Sequence, residues 1–257
     1  MKQALATITS NTEIMPKTHL IWVKAPGIAA TAKPGQFIMV RCGRELLLRR
    51  PLSIHRVREP DQLCFLFSVA GKGTFWLSQC KEGKNLDLLG PLGKGFTIDP
   101  TSKNLLLVAG GIGIAPLVFL AQQSLSQGHV VTLLHGATTA SGLYPQQLLP
   151  PEVQFVITTE DGSAGNRGRV TDILPNFFDW ADQIYACGPV AMYQTIATQR
   201  QKGPKKKSIQ ISLEVRMGCG LGACYSCTIK TRCGWRRVCQ DGPTFELDKI
   251  IWEEVKI

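Results

Sequence analysis

The chain has 257 residues, of which 44% are hydrophobic and 19% charged, with a formal net charge of +10. This composition excludes long disorder, and no run reaches the roughly eighteen unbroken apolar residues of a spanning helix. The positive charge permits anion or nucleic-acid binding. Its one dense run, Lys202 to Lys207, holds no stacking aromatic and encloses Gly203–Pro204, the pattern of a solvated linker. The N-terminal residues lack the apolar core and small-residue cleavage site of a secretory signal. A cytoplasmic protein with neither nucleic-acid nor membrane partner is therefore expected. In that setting nine cysteines, an odd number, point to metal or redox use rather than a disulfide framework.

Residues 1–98 read as strands. Ile14 to Pro26, Gly35 to Gly43, Leu46 to Val57 and Gln62 to Gly71 are rich in β-branched and aromatic residues. Pro34–Gly35, Glu59–Pro60–Asp61 and Gly93–Lys94–Gly95 punctuate them as turns. Short strands at this spacing predict a small barrel or sandwich. From about residue 104 the pattern changes. Asn104 to Gly110 is a continuous apolar run, as for a strand buried on both faces. Helical spacing follows from Ile114 to Gly128, with Pro116 in the first turn and Gly128 as C-cap. His129 to Gly136, Glu152 to Glu160 and Asp182 to Gly188 read as further buried strands. Helices are predicted near Arg169 to Trp180 and Pro189 to Lys202, so this part, to residue 207, is a parallel α/β sheet. Residues 208–257 hold one strand-like run, Ile209 to Val215, and too few residues for a core of their own; a metal centre would supply the missing stability.

Gly110–Gly111–Ile112–Gly113 joins a buried strand to a helix, where bare N–H groups and the helix dipole favour phosphate. The match to the dinucleotide fingerprint is incomplete. Pro116 holds the last glycine position, and no Asp or Glu occurs from Gly111 to Pro151 to bind a ribose. A plain tight turn is the alternative. Cys187–Gly188–Pro189 and Glu160–Asp161–Gly162–Ser163 lie at the same carboxyl edge of the sheet, where open α/β folds bind ligands. Without a ligand the first is a buried thiol before a helix and the second an acidic turn.

Five cysteines crowd the end of the chain, four of them spaced Cys219-x4-Cys224-x2-Cys227-x11-Cys239. This is the ligand spacing of a plant-type [2Fe–2S] cluster. Gly218, Gly220 and Gly222 let one tight loop bring three thiolates together and point N–H groups at sulfur. Structural zinc also takes four thiolates, but its sites usually come as two short-spaced pairs. Cys239 precedes the Asp241–Gly242–Pro243 turn, which leaves Cys233 as a spare thiol.

Together these motifs resemble the ferredoxin–NADP reductase superfamily. Arg50–Pro51–Leu52–Ser53 is similar to its flavin motif, and Gly71–Lys72–Gly73–Thr74 to its second one. The run from Glu214 to Cys227, Val238 to Pro243 and Leu89 to Phe96 narrows the likeness to the electron-transfer subunits of class 1B dihydroorotate dehydrogenases. The resemblance implies a six-stranded antiparallel flavin-binding barrel (1–98), a parallel α/β nucleotide-binding domain (99–207) and a small [2Fe–2S] domain (208–257). It implies FAD at Arg50, Pro51, Leu52, Ser53, Phe67, Ser68, Val69, Gly73 and Thr74. It implies NAD+ at Gly110, Gly111, Gly113, Cys187, Gly188 and Pro189, and the cluster at Cys219, Cys224, Cys227 and Cys239. The implied Arg50 role is to pair with the flavin pyrophosphate, and that of Ser53 is to approach the reactive ring nitrogen. Cys187 would shape the site without acting as a nucleophile. NAD is expected over NADP because His129 to Tyr144 offers no Arg or Lys for a 2′-phosphate; Arg167 and Arg169 lie on a later loop. The implied partner is an FMN-containing dihydroorotate dehydrogenase catalytic subunit, in a heterotetramer of two of each, acting in pyrimidine biosynthesis. One departure is Tyr225, where the family commonly has a small residue. The alternatives are a diaphorase subunit of a hydrogenase or ferredoxin oxidoreductase, and a zinc-stapled nucleic-acid-binding module.

Overall fold

The computed structural model describes residues 1–58, 60–202 and 207–255. Glu59 of a predicted turn and residues 203–206 of the basic run lie outside the described residues.

Six antiparallel strands close a barrel: β1 (Lys2–Met15), β2 (Thr18–Lys24), β3 (Phe37–Val40), β4 (Arg50–Arg58), β5 (Gln62–Ser68) and β6 (Asn85–Leu92), in spatial order β1-β2-β5-β4-β3-β6. Strand β6 shows why. Leu86, Leu88, Gly90 and Leu92 alternate inward and their neighbours outward, the period of two that one buried face demands. The predicted strand Ile14 to Pro26 is split. Lys17 turns left-handed at φ 57°, and β1 and β2 pair across that hairpin. Two short helices, α1 (Pro26–Ala29) and α2 (Lys72–Ser78), close gaps between strands.

The second body is a parallel sheet of β7 (Asn104–Gly110), β8 (Val130–Ala137), β9 (Gln154–Thr159), β10 (Asn166–Arg167), β11 (Gln183–Cys187) and β12 (Ile209–Ser212). It is flanked by α3 (Ile114–Ser126), α4 (Val170–Ile173) and α5 (Val190–Lys202). The continuous apolar run predicted as β7 is buried from Leu105 to Ala109. The helix predicted from Arg169 to Trp180 is only α4 and a 3₁₀ turn, because Pro175 denies the helix a donor one turn on. After β12 the chain forms the hairpin β13 (Thr228–Thr231) and β14 (Gly234–Arg237), then α6 (Val238–Asp241). It then returns as β15 (Thr244–Glu246), antiparallel to β12 at the sheet edge.

The bodies share cores rather than merely touching. On one side Leu20, Cys64 and Leu66 of the barrel pack with Ile114, Leu117 and Val118 of α3. On the other, Phe37, Met39 and Leu92 pack with Met217, Cys227, Ile229, Val238 and Cys239. The cysteine-bearing segment thus borrows its core from both neighbours, which answers its being too short for a core of its own.

Candidate functional site

The carboxyl ends of β7, β8, β11 and β12 face the barrel, and cavities open there, two of which hold predicted site residues in their walls. The larger, about 840 Å³, is walled by β4 residues Arg50 to Ser53, by Phe67 and Ser68 at the end of β5, and by Gly71 and Thr74 at the start of α2. Ile112 and Ala115 close it from the glycine turn, and Ser212 to Met217 from the last segment. Antiparallel pairing of Phe37 with Ser53 sets which β4 side chains face it. A Cβ on Gly73 would lie 2.8 Å from Arg50 Nε, so only glycine lets the guanidinium lie against α2. Thr74 Oγ1 accepts the Ala70 and Gly71 amides at 2.9 and 3.1 Å and fixes that turn. Gly73 therefore stands behind Arg50 and outside the cleft wall; so does Val69, whose amide donates to the Lys17 carbonyl. A planar, partly apolar group with a phosphate tail fits this arrangement, with Arg50 as its fixed cation.

The second cavity, about 390 Å³, is lined by Gly110, Gly111, Gly136 to Thr138, Glu160, Arg169 and Pro189, among others. A Cβ on Gly111 would meet nothing within 4 Å, and its φ of +53° suits glycine. Gly113 acts differently: a Cβ there would collide with the Cys187 carbonyl, so this glycine lets the turn press on the end of β11. Gly188 packs on Gly110 and Met192. Of the six predicted nucleotide residues, then, Gly110, Gly111 and Pro189 line the cavity, while Gly113, Cys187 and Gly188 support it from behind. The Cys187 thiol is buried, and its Sγ donates to the Ser212 carbonyl at 3.5 Å. Burial first, then Glu214, holds its pKa well above the ordinary thiol value, so it stays neutral.

The cysteine loop runs against the barrel. Gly220 and Gly222 turn left-handed at φ 72° and 80°, and a Cβ on Gly220 would lie 2.6 Å from Met39. The turns aim backbone donors at sulfur. Leu221 and Cys224 amides donate to Cys219 Sγ at 3.3 and 3.5 Å, Gly222 to Cys239 Sγ at 3.1 Å, and Cys239 to Cys227 Sγ at 3.4 Å. A hydrogen bond from Ser226 lowers the exposed Cys224 thiol to about 6, while burial pushes Cys239 up to about 12. Donors directed at thiol sulfur fit thiolate ligands, and a buried thiol like Cys239 becomes a thiolate when a metal replaces its proton. Among the described residues, no three Cys, His, Asp or Glu side chains are gathered for a single ion. Cys233 is exposed at the turn of the β13–β14 hairpin. Tyr225 holds a left-handed φ of 58°; its carbonyl accepts from Thr228 Oγ1 at 2.7 Å and its ring lies under Arg237.

Sequence reasoning missed Glu214, Thr138 and the cavity position of Arg169. Glu214 is open to solvent through the larger cleft but otherwise enclosed, and that burial raises its carboxyl pKa. Its signal was its place just beyond β12, at the carboxyl edge of the sheet. Arg169 follows β10, which pairs beside β9 and so carries the later loop back to the nucleotide cavity.

Two family models match the chain: an iron–sulfur cluster binding domain of dihydroorotate dehydrogenase B over residues 214–251, and an oxidoreductase NAD-binding domain over residues 107–198. A relative from Desulforamulus reducens named dihydroorotate dehydrogenase B (NAD(+)), electron transfer subunit, is 42% identical over 93% of this chain and 95% of its own length. A Listeria monocytogenes protein of the same name is 38% identical over 97% of this chain and 99% of its own. Among solved structures, one concerning NADH-dependent reduced ferredoxin-NADP oxidoreductase superposes with a TM-score of 0.88 at 30% identity, covering 97% of this chain and 91% of that one. A ferredoxin NADP+ reductase from Neisseria gonorrhoeae superposes at 0.63 with 20% identity, covering 79% and 92%, a likeness of fold.

Proposed function

The chain belongs to the family of dihydroorotate dehydrogenase B electron transfer subunits, and from that premise we propose that it carries electrons from dihydroorotate oxidation to NAD+. On this reading the donor is an FMN-containing catalytic subunit, two copies of each chain assemble, and the work is done in the cytoplasm during pyrimidine synthesis. Among the described residues no helix is long and apolar enough to cross a membrane.

The observation that supports the reading most is the shared cleft. Its walls come from the barrel, from the glycine turn and from the stretch leading into the cysteine loop, so one bound group would meet both neighbouring sites. When bound there, FAD would supply the conversion between single electrons and a hydride, which a [2Fe–2S] centre and nicotinamide cannot exchange directly. The residues have distinct tasks. Arg50 holds the pyrophosphate charge, and Pro51, Leu52, Ser53, Phe67 and Ser68 wall the ring. Val69, Gly73 and Thr74 shape the turn beneath Arg50. Gly110, Gly111 and Pro189 receive the dinucleotide, backed by Gly113, Cys187 and Gly188. Cys219, Cys224, Cys227 and Cys239 ligate the cluster. Residues 1–98, 99–207 and 208–257 would divide these three tasks. Glu160 at the cavity rim opposes an added 2′-phosphate and favours NAD+; Arg169 beside it works the other way.

Anaerobically purified protein should be yellow-brown and contain FAD, iron and acid-labile sulfide. It should reduce dyes with NADH faster than with NADPH, and should oxidise dihydroorotate only with its partner. A colourless zinc protein, or full dihydroorotate turnover by the isolated chain, would refute the reading.

A further inference from the structure

Two buried histidines, neither part of any motif above, lie between the barrel and the nucleotide cavity. His55 is fully buried on β4, five residues beyond Arg50. Its Nδ1 lies 2.8 Å from the Ala115 carbonyl and its Nε2 3.0 Å from Tyr144 Oη. Arg56 Nη2 donates to the same Tyr144 oxygen at 3.0 Å. The Tyr144 backbone amide in turn donates to Nδ1 of His135 on β8 at 3.3 Å, and His135 Nε2 lies 3.0 Å from the Gly111 carbonyl. Tyr144 and His135 are both buried.

Donor and acceptor chemistry permits one assignment of protons. A carbonyl only accepts, so His55 carries its proton on Nδ1 and its Nε2 accepts from the Tyr144 hydroxyl, whose oxygen accepts from Arg56. An amide N–H only donates, so His135 Nδ1 is bare and Nε2–H donates to Gly111. Burial keeps both rings neutral, with pKa values lowered to about 3 for His55 and about 4 for His135, and raises Tyr144 to about 12. The result is two hydrogen-bonded groups joined by the buried Tyr144 side chain: its hydroxyl meets the Arg50-bearing strand, and its backbone amide meets His135, which holds the glycine turn. In that turn sits Gly111, which lines the nucleotide cavity in a left-handed conformation.

We propose that His135 is a positioning residue for the dinucleotide: by holding the Gly111 carbonyl it fixes the glycine turn, and Tyr144 and His55 register that turn against flavin strand β4. The proposal rests on the reading of the 390 Å³ cavity as the nucleotide site. His135 touches no substrate in this role. It removes freedom from the turn before the nucleotide arrives, so its loss weakens binding rather than chemistry. Gln can place a donor where Nε2–H stands; Leu cannot.

The test uses FAD- and iron-loaded protein carrying His135→Leu or His135→Gln. NADH affinity is read from flavin fluorescence, with KM and kcat measured against an artificial acceptor. His135→Leu should raise the NADH Kd and KM about tenfold, with kcat, FAD and iron content kept, and His135→Gln should recover most of the loss. A second measurement needs no variant: histidine ¹⁵N shifts of the native protein should show Nδ1–H for His55 and Nε2–H for His135 at neutral pH. The proposal is overturned by unchanged affinity in His135→Leu, by parallel loss of FAD and kcat, or by the opposite tautomers. If the native protein binds no NADH at all, it is the reading of the cavity that fails.

Discussion

Two thiols a few residues apart have opposite fates. Cys239 is 2% exposed and its sulfur accepts the Gly222 amide, whereas Cys233 is exposed at a hairpin turn. Cys239→Ser should therefore lose most of the bound iron and the visible absorption while keeping FAD, and Cys233→Ser should keep both; iron, sulfide and flavin assays on the two proteins separate the roles. Arg50 sets a second prediction. A charge-assisted hydrogen bond is worth about 1.5–3 kcal/mol, so Arg50→Ala should weaken FAD retention roughly ten- to hundredfold, with Arg50→Lys in between because it keeps charge but loses the fork. Flavin remaining after gel filtration checks the order. The cysteines and Arg50 were legible in sequence because each belongs to a short, local pattern. His55 was not: its partners Ala115 and Tyr144 lie 60 and 89 residues away, and nothing along the chain marks a separation of that size.

Among the elements, the legible ones were those whose burial is uniform or alternates cleanly. Strand β7 is buried from Leu105 to Ala109 and β11 along its length, and β6 alternates throughout. Where a single residue redirects the chain, periodicity misled: Lys17 splits one predicted strand, and Pro175 ends a predicted helix after a turn. The place of β15 beside β12 depends on a return of the chain after the cysteine loop, which no local pattern encodes. The glycine turn is the element where sequence and structure agree on position but not on cause. Gly113 matches a phosphate-binding motif, yet its missing side chain makes room for the Cys187 carbonyl. Gly113→Ala should therefore force the glycine turn away from the end of β11 and destabilise the fold by about 1–3 kcal/mol, besides weakening NADH binding. Gly111→Ala has open space and is opposed only by its φ of +53°, so its stability loss should be smaller. Urea midpoints of the two variants compare the effects directly.

For the whole molecule, the join between barrel and α/β body governs how stability responds to acid. His55 and His135 are neutral in the fold, with pKa values of about 3 and about 4, and burial is the first cause in each; Arg56 lowers His55 further. Unfolded, both rings take up protons near the ordinary value of about 6.5. Below that pH the unfolded chain binds more protons than the folded one, so stability falls as pH falls, until the folded rings themselves titrate. Each histidine contributes a slope approaching about 1.4 kcal/mol per pH unit, so the pair costs roughly 3 kcal/mol between pH 7.5 and 5.5. Glu214 works in the opposite sense, since its raised pKa favours the folded state as acid is added, but only nearer its own titration range. The lowered carboxylates Asp87 and Asp182 matter only at lower pH still. At about 2–4 °C per kcal/mol for a chain of this size, Tm should drop by roughly 6–12 °C over that interval. Replacing both histidines, as His55→Gln with His135→Gln, removes the groups that take up protons. The doubly substituted protein should start somewhat less stable at pH 7.5, because glutamine keeps a donor but not the packing of the ring, and should show a flatter decline, because the titrating groups are gone. Thermal melts of the two proteins across pH 5.5–7.5 decide it, and parallel pH profiles would mean that the acid response arises elsewhere than at this join.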